Sequence, residues 1–362
     1  MVPSSSVVDT VTTRLNAFLA SMRSEGDAYG PDAAVFIDAA ASTLQGGKRL
    51  RARFCHDGWA AIAHHRSPDA LESPALWGLC AALEIFQSAA LVHDDLIDNS
   101  DTRRGRPASH RALEATHRDA GWSGDAEAFG RASAVLLGDL LVAWSDDLLE
   151  EALIGETHAD DVRREYARMR RDVTVGQMLD IAEESAWSVN PPEQQLERAL
   201  RVASLKSARY SIEQPLVLGA SLAGADGAQL DALRAFGHPV GMAFQLRDDL
   251  LGVFGDAAVT GKPAGDDLRE GKRTALIAIA RERLDARGQQ MLDAALGDVA
   301  LDAQRIAELQ QLIADTGAPE QIEEMITGYA AAADGALDGA PLDAGAMVDL
   351  RALATAATSR SA

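Results

Sequence analysis

The stretch from residue 74 to residue 98 constrains the fold most, because one helical face changes along it from apolar to acidic. Ser73 followed by Pro74 is a typical helix start, with an N-cap hydroxyl and then a proline at the first position. Apolar and small residues then recur every three or four positions, which is the spacing of one helix face. Asp94 and Asp98 end that face one turn apart. The sequence therefore predicts a core helix that presents two carboxylates near its C-terminal end.

The aspartate pair and the basic run behind it predict a metal and phosphate site. Two carboxylates one turn apart raise each other's pKa unless a cation lies between them. Such oxygen pairs suit Mg²⁺, which keeps some waters and binds substrate phosphates. Arg103, Arg104 and Arg106 follow directly, and their forked donors match phosphate oxygens. The alternative interpretation is structural, with i, i+4 acids and basic residues on a solvated helix end.

Composition favours an all-helical protein. Hydrophobic residues make up 47% of the chain but aromatic residues only 5%. Alanine and leucine are abundant, whereas the alternating Val, Ile and Thr runs of strands are scarce. A chain of 362 residues is long enough for one large domain or two. Because no repeat or linker interrupts it, we predict a single domain over residues 1–362.

Charge and cysteine content limit the possible partners and compartments. A net charge of −21 argues against nucleic acid and anionic membranes as partners. Basic residues nevertheless cluster at 48–51 and 103–106, which favours a small anionic ligand. Cys55 and Cys80 lack metal-site spacing and fit a reducing compartment. With no signal peptide and no apolar run near about 20 residues, we expect a cytoplasmic protein without a transmembrane segment.

The remaining chain is predicted to form helices joined by turns. Glycine- and charge-rich composition predicts loops at 119–130 and 256–273, the second of them functional. The predicted helices cover residues up to about 26, then 31–44, a helix after 51, 131–155, 160–186, 193–223, 228–255, and three or four shorter helices up to about 358.

A second acidic pair, Asp248 and Asp249, lies near the end of the predicted helix 228–255. Two helices that each end in paired aspartates could face each other across a bundle and hold metal ions. One acidic pair is weak evidence for such a site. Two pairs, each beside a basic candidate for phosphate binding, are much stronger evidence.

Several motifs follow one another along the chain in a specific order and spacing. They are GGKRLR at 46–51, DDLID at 94–98 followed by DTRRGRP, GQMLD at 176–180, LKSARY at 205–210, FQLRDD at 244–249 and GKPAGDDLREGKRT at 261–274. With these motifs the chain resembles the polyprenyl (isoprenyl) diphosphate synthases, which are trans-prenyltransferases. The resemblance covers about residues 36–290 and continues more loosely through the C-terminal helices.

The resemblance implies a fold, a cofactor and a set of site residues. The fold is a single-domain all-α bundle around a deep central cavity, and the family is usually homodimeric. Three Mg²⁺ ions are implied, with Asp94, Asp98 and Asp248 as ligands and Lys206 beside them as a catalytic residue. Isopentenyl diphosphate would be held by Lys48, Arg51, Gln87 and Arg104. The allylic diphosphate would be held by Arg103, Lys206, Ser207, Gln245, Lys262 and Lys272.

The chemistry agrees with such a residue set. Breaking an allylic C–O bond places negative charge on the departing pyrophosphate, where metal ions, lysine and arginine stabilise it. The carbocation left behind needs a dry, apolar wall. Condensation with isopentenyl diphosphate and loss of a proton then give a trans-prenyl diphosphate.

Product length is predicted from the residues that precede Asp94. Ala90 and Ala89 are small, whereas the resemblance implies that bulky aromatics there would stop growth at C15. The next large side chain is Phe86, roughly 12 Å deeper along the helix. We therefore predict geranylgeranyl diphosphate (C20). A farnesyl (C15) or longer product stays open, because neighbouring helices could form the floor.

Two departures from the family pattern bear on the alternatives. Gly252 stands where the second motif has its final aspartate, and Ser207 stands where threonine is more frequent. A class I terpene cyclase is disfavoured, because a cyclase needs no GGKRLR or DTRRGRP motif. A non-catalytic partner subunit loses acidic motifs, and only Gly252 points that way.

Overall fold

The protein is almost entirely helical, as its composition predicts. The computed structural model describes residues 4–255 and 265–358. Its α-helices are α1 (Ser4–Gly26), α2 (Pro31–Thr43), α3 (Leu50–Arg66), α4 (Pro74–Ile97), α5 (Ser109–Asp119), α6 (Ala126–Ala152), α7 (Ala159–Ala186), α8 (Gln195–Val202), α9 (Gln214–Leu222), α10 (Gly227–Phe254), α11 (Asp266–Glu270), α12 (Ala275–Arg283), α13 (Ala286–Ala295), α14 (Ala303–Ala314), α15 (Ala318–Ala336) and α16 (Ala344–Thr358).

Three other kinds of element complete the described chain. Two short 3₁₀ helices cover Asp27–Tyr29 and Pro192–Gln194. A π-helical segment, Ala203–Glu213, joins α8 to α9. A short antiparallel hairpin consists of β1 (Thr102–Arg103) and β2 (Arg106–Pro107), and these are the only strands within the described residues. The predicted all-α class is therefore confirmed.

The described residues pack into two compact units. Unit 1 contains the chain up to Trp59 together with Asp69–Ala159, and unit 2 contains Ala60–Pro68 together with the chain from Asp160 onward. The prediction of one catalytic domain around a central cavity stays a prediction.

Helix α4 is the core of unit 1 and packs along α6. It begins as predicted, because Ser73 Oγ accepts a hydrogen bond from the Leu76 amide at 3.2 Å and Pro74 takes the first helical position. Gly78 allows close approach of the two helices, since a Cβ there would lie 2.5 Å from Ala152 Cβ. The acidic end of α4 thus belongs to a closely packed helix pair.

The apolar character of α4 corrects one expectation. Among the described helices, α4 alone is long and apolar enough to cross a membrane by length and composition, whereas the sequence predicts no apolar stretch of this length. However, 78% of its apolar window is buried inside the protein. That burial is typical of the core helix of a globular unit.

Unit 2 is built around α10, which packs against α15 and the π-helical segment. A capping box starts α10: Asp226 accepts a hydrogen bond from the Gln229 amide at 2.9 Å, and the Gln229 side chain accepts one from the Asp226 amide at 3.1 Å. Leu246 is fully buried, and Leu250 is nearly so. The second acidic motif therefore lies on a helix whose other face is fixed in a core.

Three predicted boundaries differ from the structure. The loop 119–130 is shorter, because Asp125 caps α6 by accepting hydrogen bonds from the amides of Glu127 and Ala128, so the helix starts earlier than expected. The single helix predicted at 193–223 is divided by the π-helical segment. Within the loop 256–273, the described part contains the short helix α11.

Candidate active site

The GGKRLR motif forms the turn between α2 and α3. Gly46 and Gly47 have φ values of 72° and 88°, in the left-handed region that favours glycine. Arg49 also has a positive φ, 48°, and its side chain is buried, whereas Lys48 is exposed. Arg51 is half-buried in the first turn of α3. The turn therefore displays Lys48 and keeps its second basic residue inside the fold.

The DTRRGRP motif forms the β1–β2 hairpin. Arg104 and Gly105 are its two turn residues, with φ values of 54° and 73°, as in a type I′ turn. Arg104 reaches the glycine turn, because a Cβ on Gly47 would lie 3.1 Å from the Arg104 Nη1 atom. Two basic motifs that are distant in sequence thus converge at one place in unit 1.

The electrostatics of this place favour an anion. Burial, followed by the nearby guanidinium of Arg49, lowers the pKa of Arg104. Arg103 and Arg51 act in the same direction, and Glu84 opposes them. A bound diphosphate would relieve the repulsion between these clustered guanidinium charges. The residues predicted to hold isopentenyl diphosphate, Arg51 and Arg104, are thus brought together.

The first aspartate motif ends α4 beside this cluster. The Asp98 amide donates to the Asp94 carbonyl at 2.8 Å, so the two residues lie on consecutive turns as predicted. Arg103 donates from Nε to Asp95 Oδ1 at 2.7 Å and from Nη2 to Asp94 Oδ2 at 3.3 Å. Asp95 is buried and also receives a second bond from Arg103. It therefore anchors the arginine that was predicted to contact the allylic diphosphate.

The residues at the end of α4 fit Mg²⁺. Asp94 and Asp98 are half-buried and offer carboxylate oxygens, which are the ligands of a hard cation. Within residues 4–255 and 265–358, no three His, Cys, Asp or Glu side chains are already assembled around one metal position. A pair of carboxylates completed by water and substrate phosphate is the usual arrangement for Mg²⁺.

The second aspartate motif, on α10, divides its two carboxylates between different environments. Asp248 is exposed, whereas Asp249 is buried and accepts a hydrogen bond from Gln245 Nε2 at 2.7 Å. Burial, together with the charges of Asp267 and Asp248, raises the pKa of Asp249 well above its ordinary value. Asp248 is therefore the residue of this motif whose oxygens are available to a ligand.

Gly252 leaves room for a carboxylate from another element. A Cβ at residue 252 would lie 1.9 Å from Asp267 Oδ2, so the side chain of Asp267 occupies this space. Lys272 Nζ lies 3.5 Å from Asp267 Oδ1 and 2.5 Å from Glu270 Oε2. The side chain of Asp267, which was not among the predicted site residues, thus lies where a side chain at residue 252 would begin.

Lys206 lies on the π-helical segment and pairs with Asp180, with Nζ 2.6 Å from Oδ2. Glycines of two helices let this segment come close. A Cβ on Gly176 of α7 would lie 2.4 Å from the Lys206 amide nitrogen, and a Cβ on Gly241 of α10 would lie 2.5 Å from the Ala208 carbonyl oxygen. Widened helical turns often occur at functional sites, and this one orients a predicted phosphate ligand.

The other predicted residues are placed less specifically. Gln87 and Ser207 are half-buried on α4 and the π-helical segment, and Lys262 lies outside the described residues. Phe86 and Ala89 are buried, and Ala90 is half-buried. None of these three chain-length residues lines the cavity of about 270 Å³ found in unit 1.

That cavity lies on the other side of α4. It is lined from this helix by Ser88, Leu91, Val92 and Asp95, which project about 60° to 160° from the direction of Asp94. Ala90, Phe86 and Ala89 project about 40° to 140° in the opposite sense. The cavity is therefore not the predicted elongation pocket, and the chain-length assignment stays a prediction.

Sequence reasoning missed several residues that support this site. Glu84, Arg49, Asp95 and Asp267 act through contacts between residues that are not neighbours in a helix. The glycines of the site are identified by a positive φ or by a close approach to another element. Neither feature has a local sequence signal apart from the glycine itself. The short β1–β2 hairpin had such a signal in Arg104-Gly105, because glycine favours a type I′ turn.

Comparison with known proteins agrees with this geometry. The family model described as polyprenyl synthetase matches residues 34–313. A structure of geranylgeranyl pyrophosphate synthase from Corynebacterium glutamicum, complexed with isoprenyl diphosphate and magnesium, is 38% identical, with a TM-score of 0.92 and coverage of 98% of this chain and 99% of that one.

Two curated relatives extend the comparison. Geranylgeranyl diphosphate synthase of Mycobacterium tuberculosis is 37% identical over 200 residues, which span 55% of this chain and about half, 51%, of the relative. Geranylfarnesyl diphosphate synthase of Aeropyrum pernix is 30% identical over 291 residues, 78% of this chain and 80% of the relative. The chain belongs to the polyprenyl synthetase family and is a trans-prenyltransferase.

Proposed function

We propose that the protein is a geranylgeranyl diphosphate synthase, which condenses isopentenyl diphosphate with allylic diphosphates in a Mg²⁺-assisted reaction. The observation that carries the proposal is the convergence of the glycine turn, the arginine hairpin and the aspartate end of α4 within unit 1. A cyclase would not require the first two of these elements.

Isopentenyl diphosphate is assigned to the cationic group formed by Lys48, Arg51 and Arg104, with Gln87 nearby on α4. This group needs no metal, because guanidinium and ammonium donors neutralise a diphosphate directly. Arg104 supports the assignment, since its pKa is lowered by burial and by neighbouring arginines, so that an anion is favoured there.

The allylic diphosphate is assigned to Arg103, Lys206, Ser207, Gln245, Lys262 and Lys272. Asp94, Asp98 and Asp248 would hold three Mg²⁺ ions, which supply Lewis-acid stabilisation of the departing pyrophosphate when bound. Asp95 keeps the Arg103 guanidinium at Asp94, and Asp180 keeps Lys206 in place. Under this proposal each cation would stabilise the negative charge that develops on the departing pyrophosphate as the C–O bond breaks.

The rest of the proposed reaction needs exclusion of water and loss of a proton. The allylic cation is attacked by the isopentenyl double bond, and the released pyrophosphate accepts the proton, so no side-chain base is assigned. Ala90 leaves space beside the Asp94 face, and Phe86 is the floor that stops growth at C20. The similarity to a geranylfarnesyl diphosphate synthase makes chain length a question for experiment.

The setting of the enzyme is also part of the proposal. We assign a cytoplasmic homodimer, because the family is usually dimeric and because Cys55 and Cys80 are buried free thiols, as expected in a reducing compartment. The chain-elongating role is favoured over a non-catalytic subunit, since both acidic motifs keep an accessible aspartate, Asp94 and Asp248.

The test is release of pyrophosphate from purified protein supplied with isopentenyl diphosphate, Mg²⁺ and one allylic primer at a time. Dimethylallyl, geranyl and farnesyl diphosphate should each give release that depends on both substrates. Release from the allylic substrate alone would indicate a cyclase. Absence of release with every primer would indicate a non-catalytic subunit.

A further inference from the structure

A buried carboxylate lies under the glycine turn and belongs to none of the assigned phosphate contacts. Glu84 projects from α4, and its side chain is 7% exposed. Its Oε1 atom accepts a hydrogen bond from the Ala52 amide at 3.2 Å, and its Oε2 atom lies 3.5 Å from Arg49 Nη1. Burying a carboxylate is unfavourable unless it is paired and hydrogen-bonded, so both contacts bear on its role.

The first contact completes the start of α3. The Arg49 carbonyl accepts from the Arg53 amide at 3.0 Å, which makes Arg49 the N-cap residue. An arginine side chain has no acceptor for the first amides of a helix, and no acidic residue lies in this first turn. Glu84 accepts from Ala52, the third helical residue, and so supplies from α4 the cap that the local sequence lacks.

The second contact fixes the backbone between two phosphate ligands. Arg49 has a φ of 48°, a conformation that a non-glycine residue keeps only when its surroundings hold it. Its Nη2 atom donates to the Leu44 carbonyl at the end of α2 at 2.5 Å, and its Nη1 atom faces Glu84. Arg49 is therefore held at three places, and its chain neighbour Lys48 is aimed by the same backbone.

We propose that Glu84 is the positioning residue of the isopentenyl diphosphate subsite: it holds Arg49 and the first turn of α3 so that Lys48 and Arg51 point at one diphosphate. The inference rests on the proposed function of that subsite. It differs from a purely electrostatic role, because a negative charge near four arginines would by itself weaken anion binding. If Glu84 acts by positioning, removal of its charge weakens binding of isopentenyl diphosphate. If Glu84 acts only by its charge, removal strengthens binding.

The test is direct calorimetric binding of isopentenyl diphosphate without an allylic primer, so that no turnover occurs. Glu84→Gln should raise the dissociation constant about tenfold or more, which corresponds to about 1.4 kcal/mol. The reason is that the glutamine NH₂ group is a donor, and it would replace the carboxylate oxygen that faces the Arg49 guanidinium, itself a donor. Steady-state KM for isopentenyl diphosphate should rise by a similar factor, with a smaller change in KM for farnesyl diphosphate. Tighter binding in Glu84→Gln would overturn positioning in favour of a counter-charge role.

A matched control separates this effect from general loss of stability. Glu114 of α5 has the same 7% side-chain exposure, lies in the same unit and pairs with Arg111 at 2.8 Å, but it has no contact with the glycine turn in the structure. Glu114→Gln should leave the dissociation constant for isopentenyl diphosphate within about twofold. An equal loss in both variants would overturn the proposal.

A second variant covers the case in which Glu84→Gln does not fold. Arg49→Lys keeps the charge but cannot reach Leu44 and Glu84 together, so it should weaken binding of isopentenyl diphosphate in the same way. Lys48→Ala reports on the subsite itself. If Lys48→Ala weakens binding and the Glu84 and Arg49 variants do not, positioning is wrong and the proposed function stands. If wild-type protein binds no isopentenyl diphosphate, the proposed function fails first.

Discussion

The two aspartate motifs look alike in sequence but are built differently. In each, the first aspartate is accessible and the second is buried. In unit 1 the buried Asp95 is paired with Arg103, whereas in unit 2 the buried Asp249 lies near Asp267 and accepts from the neutral Gln245. The buried aspartate of the first motif is thus paired with a guanidinium of the protein, whereas the buried aspartate of the second accepts from a neutral amide.

This difference between the two motifs predicts how far each unit depends on metal to bind a diphosphate. Unit 1 combines its aspartates with a ready cationic group, so it can receive one diphosphate without metal. In unit 2, burial and then the charges of Asp267 and Asp248 raise the pKa of Asp249, so Lys272 and Mg²⁺ are needed to balance the crowded carboxylates there.

The largest effect should come from the accessible aspartates. Asp94→Ala and Asp248→Ala should each lower kcat by about a hundredfold or more, which is the scale typical of losing one transition-state electrostatic contact. The measurement is Mg²⁺-dependent pyrophosphate release, with helical circular dichroism as the check on folding. Asp95→Asn and Asp249→Asn are matched controls at the buried positions and should lose less. Near-wild-type rates in both alanine variants would contradict the site.

The next effect concerns the missing aspartate of the second motif. From sequence, Gly252→Asp would change the rate little, because the motif already offers two carboxylates. The structure predicts more, because the new side chain would need the space of Asp267. Overpacking of this kind typically costs about 1–3 kcal/mol of folding stability, which thermal unfolding would measure.

A double variant makes that prediction sharper. Asp267→Gly should weaken binding of Mn²⁺, a spectroscopic stand-in for Mg²⁺, in the presence of pyrophosphate. Adding Gly252→Asp to it moves the carboxylate back into the motif and removes the clash, so both stability and Mn²⁺ affinity should recover. If the two substitutions are simply additive, Asp267 does not substitute for the missing carboxylate.

Product length should respond to one side of α4 only. Phe86→Ala should lengthen the product beyond C20, and Ala90→Phe should shorten it to C15, as read by chromatography of the dephosphorylated products. Ala90 is a better position for this test than Ala89, because Ala89 is 1% exposed and has no room for a ring. Leu91→Phe, on the cavity side, is the control and should leave the distribution unchanged. An unchanged product in Phe86→Ala would place the floor elsewhere.

The smallest effect contrasts two histidines. Burial lowers the pKa of His56, but hydrogen bonds to Asp57 and Glu72 prevail and raise it, whereas burial and then Arg209 lower the pKa of His238. The stability from His56 is therefore present below about pH 6.5 and lost as pH rises through its raised pKa. His238 behaves in reverse, with stability present above about pH 6.5 and lost as pH falls.

Melting temperatures across this pH range would show the contrast. His56→Gln should lower the melting temperature more at pH 6 than at pH 8, because the substitution removes a stabilising charge that exists only at low pH. His238→Gln should flatten the loss of stability toward acid. Parallel pH profiles for wild type and both variants would contradict these assignments.

Much of the fold could be predicted because its signals are local. Ser73-Pro74 gives the start of α4 correctly, and the i, i+4 spacing of Asp94 and Asp98 places both on one helical face. The all-α class followed from composition. The single helix predicted at 193–223 failed, because its π-helical segment depends on the close approach of Gly176 and Gly241 from other helices.

The supporting residues of the site could not be predicted, and the reason is physical. Glu84 caps a helix to which it does not belong, and Asp267 fills a space left by Gly252. Such contacts depend on how helices pack, which no local spacing encodes. A buried Glu in an apolar helix was the one available signal for Glu84, since buried acids need partners.

The comparison is tested most directly by binding each diphosphate with and without metal. Calorimetry with isopentenyl diphosphate and with a non-ionisable thio-analogue of farnesyl diphosphate would be run in Mg²⁺ and then in excess EDTA. Affinity for isopentenyl diphosphate should change less than about threefold, and affinity for the allylic analogue should fall about tenfold or more, or at least about 1.4 kcal/mol. Equal metal dependence of the two ligands, or a larger loss for isopentenyl diphosphate, would contradict the account.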